Sequence, residues 1–253
     1  MLTQTQVDCL RVCIYKSEAA LAAKVAKDVE DYLQSLLAQQ EAAALVLATG
    51  NTQISFLEAL TATKGIDWSR LILFHLDEYL GIDPDHPASF NTYLRERVHQ
   101  RVHPRQFHYI KGDTLQPLLE CDRYIKLLSA QPLALCFLGV GENGHLAFNE
   151  PAVADFNDPH PMKLVKLNRS TRLHSVNSGE FSELQAVPQY AFTLTIPTIC
   201  TAQKIICLAL GAHKAAIVKQ MLTETISPTC PASVLRQHPN ATLYLDADAA
   251  SFL

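Results

Sequence analysis

The chain has 253 residues, of which 48% are hydrophobic and 18% charged, and carries a formal net charge of −4 at pH 7. This composition supplies a sizeable core and excludes a disordered or low-complexity polypeptide. The mild acidity excludes the basic footprint that nucleic acid or an anionic membrane surface would require, so any acidic ligand must be met by local groups.

The length suits one α/β domain spanning residues 1–253. Seven cysteines, at 9, 13, 121, 136, 200, 207 and 230, include no CxxC pair, and Cys136 and Cys207 lie within apolar runs. Such thiols act as small buried hydrophobes in a reduced chain. The start, MLTQTQVDCLRVCIY, lacks a basic segment followed by an apolar one, and no apolar run approaches the length of a membrane span. The expected location is the cytoplasm.

In chain order, residues 10–15 alternate weakly and predict a first strand. Residues 16–40 place Leu21, Val25, Val29, Leu33, Leu36 and Leu37 at helical spacing. A short apolar strand at 43–48 ends at Thr49, Gly50, Asn51 and Thr52, and a helical pattern resumes over 54–63. Residues 68–76 predict another strand, ending at Asp77-Glu78-Tyr79. Pro84, His86 and Pro87 mark a loop, and Ser89 can cap a helix to about Val98.

Residues 115–130 carry a further helical pattern, and 133–138 form the expected central strand, running into GVGENGHLAFNEP at 139–151. Residues 151–163, with three prolines and no periodicity, read as a loop or lid, and 187–201 as a run of β-formers broken by two prolines. A strand at 204–210, a helix over about 213–222 and a short strand at 242–245 complete the chain. Strands alternating with helices imply right-handed βαβ crossovers and a Rossmann-like, mostly parallel sheet with helices on both faces. No GxGxxG follows the first strand, so dinucleotide binding has little support.

Sites in open parallel sheets lie beyond the carboxyl ends of the strands, and four predicted strand ends carry polar groups. Thr49, Gly50, Asn51 and Thr52 offer hydroxyls and backbone N–H groups at a helix start, which suit either an ordinary cap or an anion cradle. Asp77 and Glu78 are adjacent carboxylates that read either as a base or as an exposed acidic turn. The 139–151 segment holds three glycines, His145 and Glu150, two groups able to exchange protons at a crevice mouth. Lys214 lies in a first helical turn, where the macrodipole disfavours a cation unless an anion is bound. One base, one histidine supported by a carboxylate and a phosphate cradle suit proton transfer beside a carbonyl of a phosphorylated small molecule. Metal-ligand spacings such as HxH or HExxH are absent, and neither metal nor cofactor is expected.

Six segments in these regions resemble the glucosamine-6-phosphate deaminase/isomerase family, which shares its fold with 6-phosphogluconolactonases. They are LATGNTQ at 47–53, FHLDEYLGIDPDHPASF at 74–90, GVGENGHLAFNEP at 139–151, VPQYAFTLTIPTI at 187–199, LALGAHKA at 208–215 and PASVLRQHPN at 231–240. The resemblance implies that Asp77 moves a proton between sugar carbons 2 and 1. It implies that His145 is the ring-opening acid/base, supported by Glu150. Asn143 falls where members carry aspartate or asparagine and would orient His145 as a neutral partner. Thr49, Gly50, Asn51, Thr52 and Lys214 match the phosphate-binding positions.

Two departures stand out. Many deaminases clamp the phosphate with an arginine a few residues after a Thr-Arg pair. Here TRLHSVNSGEF at 171–181 puts the aligned position near Gly179, with Arg172 or His174 as candidate substitutes. The chain also ends at Leu253 without the extension of allosterically regulated members, and 152–166 does not match their activator site, so no amino-sugar allostery is expected. A lactonase typically lacks the LDEY base and the FNEP glutamate, and a non-catalytic sugar-phosphate sensor would carry a DNA-binding segment. The leading expectation is therefore an amino-sugar-phosphate deaminase, with its sugar epimer and oligomeric state left open.

Overall fold

A computed structural model describes residues 1–253. A hairpin of β1 (Thr3–Val7) and β2 (Leu10–Tyr15) opens the chain, and β1 is a strand that the sequence pattern did not reveal. Helix α1 (Glu18–Leu37) begins where the Ser17 hydroxyl accepts from the Ala20 N–H. It buries Leu21, Val25, Val29, Leu33 and Leu37, an i, i+4 stripe that fixes the face it turns to the sheet.

Next come β3 (Ala43–Leu47), α2 (Ile54–Ala62), β4 (Leu71–His75) and β5 (Asp77–Tyr79). Helix α3 (Phe90–Leu94) continues as a wider turn to His99, in line with the capped helix expected from Ser89. Strand β6 (Gln106–Phe107), α4 (Pro117–Leu128) and β7 (Leu133–Gly139) follow. Then come β8 (Met162–Lys166), α5 (Arg169–Asn177), β9 (Tyr190–Leu194) and α6 (Ile196–Cys200). Strand β10 (Lys204–Ala209), α7 (Ala215–Thr223) and β11 (Ala241–Asp246) complete the chain.

The main sheet has eight strands in the order β1-β2-β11-β10-β7-β3-β4-β6. Every neighbouring pair is parallel except β1 with β2. All five residues of β3 and of β4 are buried; since successive side chains point to opposite faces, both faces of the sheet are covered. From β3 the chain steps outward to β4, whereas from β7, on the other side of β3, it steps through β10 to β11. The order reverses between β3 and β7, and a crevice opens at the carboxyl ends of such a pair.

A second, three-stranded antiparallel sheet, β5-β9-β8, lies apart from the first. It corrects two expectations: residues 162–166 leave the supposed loop as a strand, and the β-forming run at 187–201 divides into β9 and α6. The side chains divide in the same way, with a core of 67 buried residues around the main sheet and a separate one of nine that includes Tyr79, Phe148 and Phe181. Tyr79 centres the small core, its ring 5.1 Å from Phe90 and 5.5 Å from both Phe148 and Phe181.

Candidate active site

Two turns of matching design flank the central strand. After β3, Gly50 takes φ +97° and leads through a 3₁₀ turn into α2; after β10, Gly211 takes φ +85° and leads through a 3₁₀ turn into α7. These left-handed backbones favour glycine. The N–H groups of Asn51, Thr52, Ala212 and His213 donate to no protein acceptor, and they stand at helix starts where the dipole is positive. The Tyr93 hydroxyl donates to the Gly50 carbonyl at 2.8 Å and the Asp246 carboxylate accepts from the Gly211 N–H at 3.0 Å, which holds each turn in place. Lys214 closes the second turn. It is 8% exposed and its ammonium has no hydrogen bond or ion pair with the protein. Burial pulls its pKa down, with the Glu142 carboxylate opposing.

The segment after β7 lies between these turns, because β7 is hydrogen-bonded to both β3 and β10. Gly144, at φ +82°, has no room for a side chain: a Cβ would stand 2.9 Å from Cys230 Sγ. Ala147 also takes a left-handed φ of +53°, uncommon for a residue with a side chain and a feature of built sites. The Asn149 amide, donating to the Leu146 and Leu194 carbonyls at 2.9 and 2.8 Å, locks that turn onto β9.

Within the segment, Asn143, His145 and Glu150 form a connected chain. Asn143 Nδ2 donates to Glu150 Oε2 at 2.9 Å, which turns Asn143 Oδ1 toward His145 Nδ1, 2.7 Å away. An amide oxygen can only accept, so Nδ1 carries the proton and Nε2 is left with its lone pair. Burial lowers the His145 pKa; Glu150 raises it, whereas Lys214 and His174 lower it further. The lowered pKa favours the neutral imidazole at pH 7.

Glu150 is 5% exposed. Besides the Asn143 amide, it accepts from Asn168 Nδ2 at 2.7 Å and from the Thr171 hydroxyl. These two residues were not singled out from the sequence, since they reach Glu150 from the start of α5, a helix that its polar composition conceals. The signal available was Asn168 itself, which caps α5 through the Thr171 N–H at 2.8 Å.

The two adjacent acids have opposite environments. Neither lies in an exposed turn: Asp77 is 7% and Glu78 0% exposed. Glu78 accepts from the N–H groups of Tyr79 and Asn91, both at 2.9 Å, and of Phe90 at 3.2 Å, and from the Ser89 hydroxyl at 2.8 Å. It shares the capping of α3 with Ser89, whose hydroxyl accepts from the Asn91 N–H at 3.1 Å. The Asp77 carboxylate accepts no hydrogen bond from the protein, and burial followed by repulsion from Glu78 raises its pKa well above the ordinary range. The backbone of Asp77 is fixed from below. His75 Nδ1 donates to the Asp77 carbonyl at 2.9 Å, while His75 Nε2 accepts from the Ile110 N–H at 2.9 Å. A buried His75, its pKa lowered to about 3, stays neutral in that role.

The expected substitutes for a phosphate-clamping arginine are placed differently from each other. Arg172 Nη2 donates to the carbonyls of Leu184 and Val187 at 2.6 and 3.0 Å, which commits it to the chain's own loop. His174 is exposed and close enough to His145 to affect its charge. Gly179, at φ +80° and exposed, ends α5.

The profile of the family described as glucosamine-6-phosphate isomerases/6-phosphogluconolactonase matches residues 16–244. The chain belongs to this family. It is 35% identical over 235 residues to a glucosamine-6-phosphate deaminase of an Exiguobacterium species, covering 91% of this chain and 90% of that protein. It is 33% identical over 242 residues to a glucosamine-6-phosphate deaminase of Bacillus thuringiensis, covering 96% of this chain and 88% of that protein. The solved structure of a monomeric glucosamine-6-phosphate deaminase superposes with a TM-score of 0.87 at 29% identity, over 96% of this chain and 99% of the other. A 6-phosphogluconolactonase from Thermotoga maritima superposes at 0.75 with 20% identity, over 93% and 99% of the two chains, and shares the fold. The strand-end turns bring Asp77, His145 and Lys214 to the carboxyl edge of the main sheet. No helix is long and apolar enough to cross a membrane.

Proposed function

We propose that this chain converts a 2-amino-2-deoxyhexose 6-phosphate, glucosamine 6-phosphate or its galactosamine epimer, with water into the ketohexose 6-phosphate and ammonia. The observation that carries this reading is the Asp77 carboxylate, buried, unbonded and raised in pKa beside a segment that presents a neutral histidine. A carboxylate kept free of hydrogen bonds and poorly solvated is a stronger base than an ordinary one, which abstraction of a proton from carbon demands. Lactone hydrolysis needs no carbon base.

The phosphate is held by Lys214 and the free N–H groups of the two glycine turns, where an anion offsets both the buried ammonium and the helix dipoles. His145 Nε2 accepts the proton of the anomeric hydroxyl and returns one to the ring oxygen, which opens the ring to the aldehyde. Asp77 then takes the proton from carbon 2 and delivers it to carbon 1, while a proton passes from the amino nitrogen to the carbon 1 oxygen. The resulting 2-imino sugar adds water and releases ammonia. Glu150, held by Asn168 and Thr171, fixes the Asn143 amide and through it the His145 tautomer.

The test is ammonia release from glucosamine 6-phosphate and galactosamine 6-phosphate side by side, with 6-phosphogluconolactone hydrolysis as control. Ammonia from one or both amino sugars is expected, and the faster substrate identifies the epimer. Lactone hydrolysis without ammonia overturns the reading.

A further inference from the structure

A cleft of 390 Å³ lies between α1 and the strands β1, β2, β11 and β10, and shares no residue with the catalytic set. It is within the range of about 300 to 1,000 Å³ that small-molecule sites occupy. Three cations line it, Arg11, Lys24 and Lys204, against one carboxylate, Asp28. That carboxylate is already engaged, by the Lys24 ammonium and by the Tyr244 hydroxyl at 2.8 Å. Arg11 and Lys204 have no acidic partner of their own. Burial lowers the Lys204 pKa and the Arg11 charge lowers it further, with Asp28 opposing, and the Lys204 ammonium lies 5.2 Å from the centre of the Tyr32 ring. With three cations against one carboxylate that is already engaged, the cleft carries an excess of positive charge that a bound anion offsets.

A second observation points to a ligand independently of charge. Tyr15, at the end of β2, lines the cleft and is only 3% exposed, yet its hydroxyl makes no hydrogen bond with the protein. The ring is packed away while the hydroxyl keeps its hydrogen-bonding capacity free for whatever occupies the cleft. Its ring stacks on that of Tyr244 at 6.3 Å, so the two form a flat wall beside the paired cations.

We infer that this cleft binds a small organic anion through Arg11 and Lys204, with the Tyr15 hydroxyl as a third contact and the Tyr15–Tyr244 wall packing against its carbon skeleton. Phosphate and carboxylate headgroups both fit this chemistry. The inference does not depend on the catalytic reading.

Backbone-amide NMR of the full chain, titrated separately with inorganic phosphate and with malonate, tests it and distinguishes the headgroups. Saturable shifts are expected at residues 11–15, 204–206 and 242–245 with at least one anion in the millimolar range. Phosphate bound at the catalytic turns reports separately, at 49–52 and 211–214. The variant Arg11→Gln/Lys204→Gln is expected to lose the first set and keep the second, with turnover unchanged. Tyr15→Phe, which removes one oxygen, should weaken binding about tenfold and serves if the double variant does not fold. Absence of saturable shifts at the cleft with either anion, or shifts that survive these substitutions unchanged, overturns the inference.

Discussion

Gly141→Ala is a perturbation aimed at one side chain. The His145 imidazole lies across Gly141, and a Cβ there would stand 2.2 Å from Cε1 and 2.3 Å from both ring nitrogens. The Gly141 backbone lies outside the left-handed region, so alanine brings no torsional strain. The three nearest atoms all belong to a side chain that is 31% exposed and can swing outward. To regain ordinary contact the ring must retreat by about 1 Å, which breaks the 2.7 Å bond from Nδ1 to Asn143 and carries Nε2 away from the substrate oxygen. A displacement of that size costs on the order of 10²-fold in rate, or about 2.7 kcal/mol of barrier. Steady-state kinetics of ammonia release should show that fall in kcat. KM should change little, because the phosphate-binding turns are untouched, and the thermal unfolding midpoint should stay near wild type. A variant with normal kcat would refute the placement of His145, and one with a matching loss of stability would refute the claim that only the imidazole moves.

The adjacent acids yield two further predictions of opposite sign. Asp77→Asn should abolish turnover while raising stability at neutral pH. The folded-state pKa of Asp77 lies above the unfolded value, so ionisation costs the folded state stability as pH rises through that window, and asparagine carries no such cost. The stability difference in urea titrations should therefore vanish below about pH 4 and grow with pH; a difference that shrinks as pH rises would contradict this. Glu78→Ala should instead destabilise by roughly 3 kcal/mol, since it strands the N–H groups of Tyr79 in β5 and Phe90 at the start of α3 together with the buried Ser89 hydroxyl, and leaves the Asn91 N–H only Ser89 as acceptor. An unchanged urea midpoint would show that these bonds to Glu78 do not hold the start of α3.

The parallel core was legible because its strands are short apolar runs between helical periodicities, and β2, β3, β7 and β10 fall close to where the runs stand. The second sheet was not legible. Strand β5 is three residues long and follows β4 after a single residue, and β8 reads MKLVK, in which flanking lysines hide the pairing. Helix α5 buries only Ser175, so no apolar stripe announces it. Thr49, Gly50, Asn51, Thr52, Asp77, His145, Glu150 and Lys214 were singled out as strand-end groups. The chemical difference between Asp77 and Glu78 was hidden, because it depends on which carboxylate meets the start of α3. Asn168 and Thr171 lie 18 and 21 residues beyond Glu150, and only the folded chain brings them together.

Asp77 occupies a seam. Leu76, the residue before it, exchanges backbone hydrogen bonds with Leu47 and Leu194, whereas Asp77 itself pairs with Thr193 on the small sheet. Asp77 is thus tied to the main sheet by covalent connection and to the small sheet by its ladder. Thr193 also accepts from the Phe148 N–H at 3.2 Å, so the histidine-bearing segment is strapped to the same small sheet. If that sheet opens as a cooperative unit, Asp77 and the His145 segment are released in one event. Loosening of the small sheet therefore cannot free one of these two segments while the other keeps its attachment to Thr193.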